Sequence, residues 1–408
     1  MKSLTRILLL AALASLVALP ALTAPAQGAK NMEVALQDDG VFLFNQGNYR
    51  ETGLFQANFL GVTTLRMNIL WYQAVPVAQR NQTSVPSNIT YNFAAWDQAI
   101  KRAKAYGIKT QLDLAGDPPA WACGSKKVPY ECNGYKPNVR LWKGFVKAAA
   151  RHFKGKVKRY SIWNEPNWYT WISPHKKAPL LYRKLVQTGY KAFKKQNKKA
   201  EVVIGELAPH FQKGISTPPL QFIREMVCVN KRLKRIKGAN KKCGRKPLKF
   251  DAFSTHPYDF EHKPTFKRAN KDELTIANLG ALPKLLTKLR KKGLIKTKKK
   301  KFPIYLTEYG YMVADNPAVR PERRIPEAKR AKWLVQAWKI AQGTPRIKEM
   351  IHYTLRSLSP SSSSAYFDMG LLFTGGQPRQ SYYALRNWIQ QAVADGDVKA
   401  PGPCGPCG

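Results

Sequence analysis

The sequence predicts an α/β fold, a single (β/α)8 barrel, and three observations predict it. Apolar runs of strand length alternate with amphipathic helical patterns about eight times, the order that gives a parallel sheet walled by helices. The chain has 408 residues, room for one barrel of typically about 250 residues with insertions. Two glutamates, Glu165 and Glu308, close the fourth and the seventh apolar run, each among aromatic residues.

The first strand is expected at Glu33–Leu36 and the second at Gly61–Met67. An amphipathic helix over Phe93–Ala105 leads to the third strand, Gly107–Leu114. A helix at Val139–Phe153 precedes the fourth, Val157–Trp163, and one at Leu180–Lys195 precedes the fifth, Glu201–Glu206. Leu220–Val229 and then Phe250–Thr255 supply the next helix and strand, followed by Ile276–Lys291 and Phe302–Thr307. Glu327–Gln342, Met350–Leu355 and a last helix from Tyr382 to about Ala394 complete the series. Apolar residues at a spacing of three to four mark the helices, and short β-branched and aromatic runs mark the strands. No short repeat and no linker divides the chain, so residues 30–394 read as one domain.

Residues 1–26 have the form of an export signal. Lys2 and Arg6 give the basic start, Ile7–Leu22 the apolar stretch, and Ala24-Pro25-Ala26 a small-x-small cleavage site. The stretch is short for a membrane span and contains Pro20. A secreted protein, associated with the cell wall, is therefore expected, with no transmembrane segment in the mature chain. Export permits disulfides. Cys123 with Cys132, and Cys228 with Cys243, are the near pairs. Cys404-Gly405-Pro406-Cys407 has C-x-x-C spacing but no strand before it and no helix after it, so it reads as a local disulfide or a free tail. Residues 395–408 are expected to be disordered.

Lysine and arginine number 69 against 25 acidic residues, a net charge of +44. Such a balance implies anionic surroundings. The lysine-rich runs Lys191–Lys199, Lys231–Lys249 and Lys288–Lys301 each lie between a helix and the next strand. In a barrel that is the N-terminal face, opposite the face that carries active sites. An anionic cell-wall polymer on that face is one reading, and a merely solvated basic surface is the other. Few aromatics interleave with the lysines, which argues against nucleic acid.

Asn164-Glu165-Pro166-Asn167 places a carboxylate at a strand end among Trp163, Trp168, Tyr169 and Trp171. Glu308 follows Thr307 and precedes Tyr309-Gly310-Tyr311. Glycosidic bonds break between two carboxyl groups, one giving a proton to the leaving oxygen and the other attacking carbon or activating water. The acid has to hold its proton near neutral pH, which apolar walls or a neighbouring negative charge bring about. Trp163 and Trp168 are candidates for that wall. Arg66, His256 and Tyr258 are candidate donors to the nucleophile, and Asn164 is a candidate contact for a sugar hydroxyl. Tyr258, Trp168, Trp171 and Trp71 are candidate sugar platforms. Asp113 reads as a core hydrogen-bonding residue. No cluster has metal-ligand spacing and no phosphate loop is present, so neither metal nor organic cofactor is implied.

On these motifs the chain resembles the clan A glycoside hydrolases, family 5-like and family 39-like. Trp163-Asn164-Glu165-Pro166-Asn167 matches the clan's acid/base motif, and Thr307-Glu308-Tyr309-Gly310 its nucleophile strand. Gly116-Asp117-Pro118-Pro119-Ala120-Trp121-Ala122 and the segment from Gly370 to Leu385 resemble further stretches of such enzymes. The resemblance implies a retaining hydrolase with Glu165 as acid/base, Glu308 as nucleophile and a covalent glycosyl-enzyme intermediate. It implies a carbohydrate substrate, with Asn164, Arg66 and His256 in contact roles. Where the clan usually offers a tryptophan on the eighth strand, this chain offers Tyr353 or His352. A transglycosylase using the same pair, and a non-catalytic wall-binding barrel, are the competing expectations.

Overall fold

The computed structural model describes residues 30–124 and 134–407. Eight parallel strands close into a barrel. They are β1 Glu33–Gln37, β2 Thr64–Leu70, β3 Lys109–Gly116, β4 Arg159–Ile162, β5 Glu201–Leu207, β6 Ala252–Thr255, β7 Ile304–Tyr309 and β8 Ile347–Tyr353. The principal helices follow them in turn: α1 Arg50–Leu60, α2 Ala94–Ala105, α3 Val139–His152, α4 Ala178–Gln196, α5 Pro219–Met226, α6 Ala281–Lys291, α7 Glu327–Gly343 and α8 Gln380–Ala394. Each strand pairs with its sequence neighbour, and β1 closes on β8 through Leu36↔His352 and Gln37↔Tyr353.

The helices form where the sequence gives them a stripe and a start. In α3, Trp142, Phe145, Val146, Ala149 and Ala150 are buried, the i, i+3, i+4, i+7, i+8 pattern of one helical face. Asn138 begins it, its Oδ1 accepting the N–H groups of Arg140 at 3.0 Å and Leu141 at 3.2 Å. The α3 face meets Trp71 and Trp163, with ring centroids of Trp142 at 5.7 and 5.2 Å from them. Truncating Trp142 there costs about 3–5 kcal/mol.

Several expectations need correction. Helix α1 is absent from the sequence reading because its outward side carries Phe55 and Phe59, 45% and 48% exposed, which blur the apolar stripe. The second strand starts at Thr64, since Gly61 adopts φ 100° and closes α1, with its N–H donating back to Ala57 and Asn58. The tail is not disordered up to Cys407. Val398 is buried beside Met32, the N–H of Met32 donates to Asp397 O at 2.9 Å, and that of Lys399 donates to Met32 O at 3.0 Å. Disulfides join Cys228 to Cys243 and Cys404 to Cys407. Cys123 is disulfide-bonded, whereas Cys132 and the signal expected over 1–26 lie outside the described residues. Among the described residues no helix is long and apolar enough to cross a membrane.

Candidate active site

Side chains from five other strands or their ends converge on Arg66 of β2. Its guanidinium is fully buried and donates to Asp113 Oδ2 at 2.9 Å, Glu206 Oε2 at 3.0 Å, Glu308 Oε1 at 2.9 Å and Asn164 Oδ1 at 3.2 Å, and also to Gln37. The acids around it outweigh the cost of burial and hold its pKa above the ordinary value. Glu206, buried and beside Arg66 and His256, is driven down to about 2 despite its desolvation. Burial raises Asp113 to about 7 against the pull of Arg66.

His256 links the acids. One ring nitrogen, Nε2, lies 3.0 Å from Glu206 Oε2, and the other, Nδ1, lies 3.0 Å from Glu165 Oε1 and 3.5 Å from Glu308 Oε2. Burial alone would strip its proton, but the charge of Glu308 and the hydrogen bonds to Glu165 and Glu206 hold its pKa up at about 10. It is therefore an imidazolium at neutral pH that donates from both nitrogens. Glu308 is desolvated and raised above its ordinary value, with His256 and Arg66 opposing the rise. Tyr258 O–H donates to its other oxygen, Oε2, at 3.2 Å.

Local backbone departures aim these side chains. The pairing of β5 with β6 shifts register between Ile204 and Leu207. Gly205 sits there at φ 122°, where a Cβ would lie 2.2 Å from Ser254 O. This bulge turns Glu206 into the barrel, and Ser254 Oγ donates to its Oε1 at 2.8 Å. A second shift, between β7 and β8, brackets Thr307 and Glu308. Beyond β4 the chain stays tethered, Asn164 N–H donating to Ala115 O at 3.1 Å and Glu165 N–H to Glu206 O at 2.9 Å. Trp163 and Glu165 are held at φ 68° and 35°, left-handed conformations that cost roughly 1–3 kcal/mol each outside glycine. Gly116 is required beside them, because a Cβ would lie 2.5 Å from the Trp163 ring.

One carboxylate oxygen of Glu165, one of Glu308 and a nitrogen of His256 all lie within 4.8 Å of one another. The side chains of Glu165 and Glu308 keep 21% and 11% of their surface exposed, while Arg66, Glu206 and His256 are closed off. The trio has the donor types of a metal site. With its two ring nitrogens each 3.0 Å from a carboxylate oxygen, His256 also lets the arrangement share protons. Two carboxylates this close can give and take a proton across one anomeric carbon.

The sequence profile of the glycosyl hydrolases family 39 matches residues 26–347. The chain belongs to glycoside hydrolase family 39. Among similar folds is a family 39 glycoside hydrolase from Bacteroides cellulosilyticus WH2, at 16% identity and a TM-score of 0.61, covering 88% of this chain and 63% of that one. A monomeric β-xylosidase from Caulobacter crescentus CB15 is similar at 17% identity and a TM-score of 0.59, covering 89% of this chain and 69% of that one. The family 39 enzyme of Xanthomonas axonopodis pv. citri also has 17% identity and a TM-score of 0.59, covering 90% and 68%. At these identities the likeness establishes the fold. The chain thus spans less than two thirds of the Bacteroides enzyme's length. No curated protein matches the sequence.

In this family 39 chain Glu165, Glu308, Arg66, His256 and Asn164 come together as expected. Arg66 occupies the Asn164 carbonyl oxygen, so the amide N–H2 is the part with capacity left for a sugar hydroxyl. Tyr258 belongs to the site as a hydrogen-bond donor and not as a platform. It is buried, with its ring against Phe260 at 4.9 Å and Tyr309 at 6.1 Å. Trp71 is also no platform, being packed in the core against Trp121, Trp142 and Phe145. Trp163 is core too, its indole N–H donating to Trp171 O at 3.0 Å, so it forms no wall facing Glu165. Trp168 and Trp171 remain partly exposed near Glu165, the Trp168 N–H donating to Glu165 O at 2.8 Å. On β8 the choice falls on Tyr353, desolvated and within reach of the Glu308 charge. His352 is buried elsewhere, its Nε2–H donating to Met369 O at 3.0 Å, and burial lowers it to about 3. The sequence reading misses Glu206 and Gln37.

Proposed function

We propose that this protein is a retaining O-glycosidase acting on β-linked oligosaccharide or polysaccharide. The approach of Glu165 and Glu308 within 4.8 Å carries the reading, since retaining enzymes hold the pair about 5–5.5 Å apart and inverting ones about 6.5–9.5 Å. Glu165 gives a proton to the leaving oxygen while the Glu308 carboxylate attacks the anomeric carbon and forms an ester. Glu165, now ionised, then takes a proton from water, whose oxygen attacks the same carbon and releases Glu308. Arg66, Tyr258 and His256 keep Glu308 ionised and oriented for the first displacement and receive its carboxylate again when the second releases it. The β-xylosidase among the similar folds makes β-xylosides the first substrates to test. Export is the expected setting, supported by the signal-like start and by cysteines that are all bonded among the described residues.

The test is the anomeric configuration of the first product, followed by proton NMR during hydrolysis of aryl β-xyloside, β-glucoside and β-mannoside. Retention of configuration, lost with all turnover in Glu308→Ala, is expected. An inverted first product, or turnover unchanged in Glu308→Ala, overturns the reading.

A further inference from the structure

The opposite end of the barrel carries an open cleft of about 910 Å3, within the range of roughly 300–1,000 Å3 typical of ligand sites. It is built from the beginnings of strands whose ends make the active site. Glu201 and Glu206 stand at the two ends of β5, roughly 16 Å apart at about 3.3 Å per residue. Arg290 and Arg346 line its interior, and Lys158, Lys299, Lys300 and Lys348 its exposed parts. The acids in the cleft are already neutralised. Arg159 pairs with Glu33 at 2.9 Å and Glu201 at 3.0 Å, and Lys399 lies 3.2 Å from Glu33. Among the described residues none of the six lining cations named above has an ion-pair partner.

Two details mark the cleft as unsatisfied and not merely basic. Arg346 Nη2 and Arg290 Nε are buried donors without a hydrogen-bond partner. Burial and the neighbouring charge of Arg290 push Arg346 down to about 10, so the two cations repel each other at close range. An anion in the cleft would offset that repulsion.

We propose that this cleft binds a linear anionic polysaccharide, holding the protein to an acidic glycan with its catalytic face pointing away. A concave site with cations set along it suits a flexible charged chain, whereas a lipid surface is flat. The aromatic rings of the cleft are already covered, Tyr305 by Arg159 at 4.0 Å and Phe302 by Arg346 at 4.1 Å. They offer no free face for stacking nucleobases, the contact that single-stranded nucleic acid sites rely on.

Binding of the full chain to sodium polygalacturonate is measured by titration calorimetry at low and at physiological salt. The variant Lys299→Glu/Lys300→Glu/Lys348→Glu should bind about tenfold or more weakly, with a flatter salt dependence, because fewer condensed counterions are released. The variant Lys143→Glu/Lys184→Glu/Lys332→Glu changes net charge equally, on exposed positions of α3, α4 and α7. It should bind within about twofold of wild type if the cleft and not the total charge is responsible. Both variants should turn over a small neutral aryl glycoside like wild type, and thermal melting reports their folding independently of turnover. Equal weakening in the two variants, absence of binding to polygalacturonate, or tighter binding to single-stranded DNA or anionic vesicles would each overturn the proposal. Binding retained in a protein that hydrolyses no glycoside would leave this site standing and refute the catalytic reading alone.

Discussion

Two arginines at opposite ends of the same barrel each gather three carboxylates, and only one of them adjoins the proposed catalytic pair. Arg66 takes Asp113, Glu206 and Glu308. Arg159 takes Glu33, Glu201 and Glu349. In the lower cluster Gln111 bridges Arg159 and Glu349, Tyr305 covers the guanidinium and donates to Glu201, and Glu33 and Glu201 keep 14% and 24% of their side chains exposed. The upper cluster adds His256, which extends the charge network to Glu165 at the rim, where two carboxylates keep an exposed edge. The difference thus lies less in the number or exposure of the acids than in the histidine set between two facing carboxylates, which only the upper cluster has among the described residues.

The sharpest break in the comparison is the proposed nucleophile. Glu308→Ala should lower kcat about 10⁴-fold or more, as loss of a covalent nucleophile does, while Glu349→Gln at the other end should leave kcat unchanged in the folded protein. Similar losses in the two would end the distinction. Next come the arginines. Arg66→Met and Arg159→Met each strand buried acids and should each cost about 3–5 kcal/mol in denaturant unfolding. Only Arg66→Met should also lower kcat, by about 10²-fold.

The pH dependence separates the clusters further. His256 has a folded pKa of about 10 against an ordinary 6.5. Its contribution to stability is therefore complete below about pH 6.5 and is lost as pH rises toward 10. Thermal melts should fall more steeply over that window in wild type than in His256→Gln. The same variant removes a cation that holds Glu308 ionised, so the acid limb of kcat/KM should move to higher pH. An unmoved limb would show that His256 is structural only.

Much of this was legible in the sequence, for local reasons. Strand ends, the paired glutamates and the donors Arg66 and His256 announce themselves by position within short segments. What stayed hidden depends on distant partners. Glu206 follows Val203-Ile204-Gly205 and is, in the sequence, only the last residue of an expected strand. The bulge that turns it inward exists only when β5 meets β6 and Ser254. Trp71 reads as a sugar platform until α3 brings Trp142 and Phe145 against it. Val398 lies in a Pro/Gly-rich tail, and it pairs only because the fold brings Met32, just ahead of β1, beside it.

The smallest effect tests the finest part of the comparison, the donor that the upper cluster has and an inert ion network would not need. Tyr258 is buried among Phe260, Tyr309 and Phe367, so Tyr258→Phe keeps the ring and its packing. Only the O–H to Glu308 Oε2 is lost. A hydrogen bond to a charged group is worth about 1.5–3 kcal/mol, and Glu308 Oε2 keeps His256 Nδ1 at 3.5 Å, which places the loss at the low end. kcat/KM should fall by about tenfold, which corresponds to about 1.4 kcal/mol, with the unfolding midpoint nearly unchanged. If Tyr258 instead served as a platform for the sugar, the phenylalanine ring would serve as well and kcat/KM would hold. A tenfold fall at constant stability therefore assigns the hydroxyl to orienting Glu308, and an unchanged kcat/KM removes it from the site.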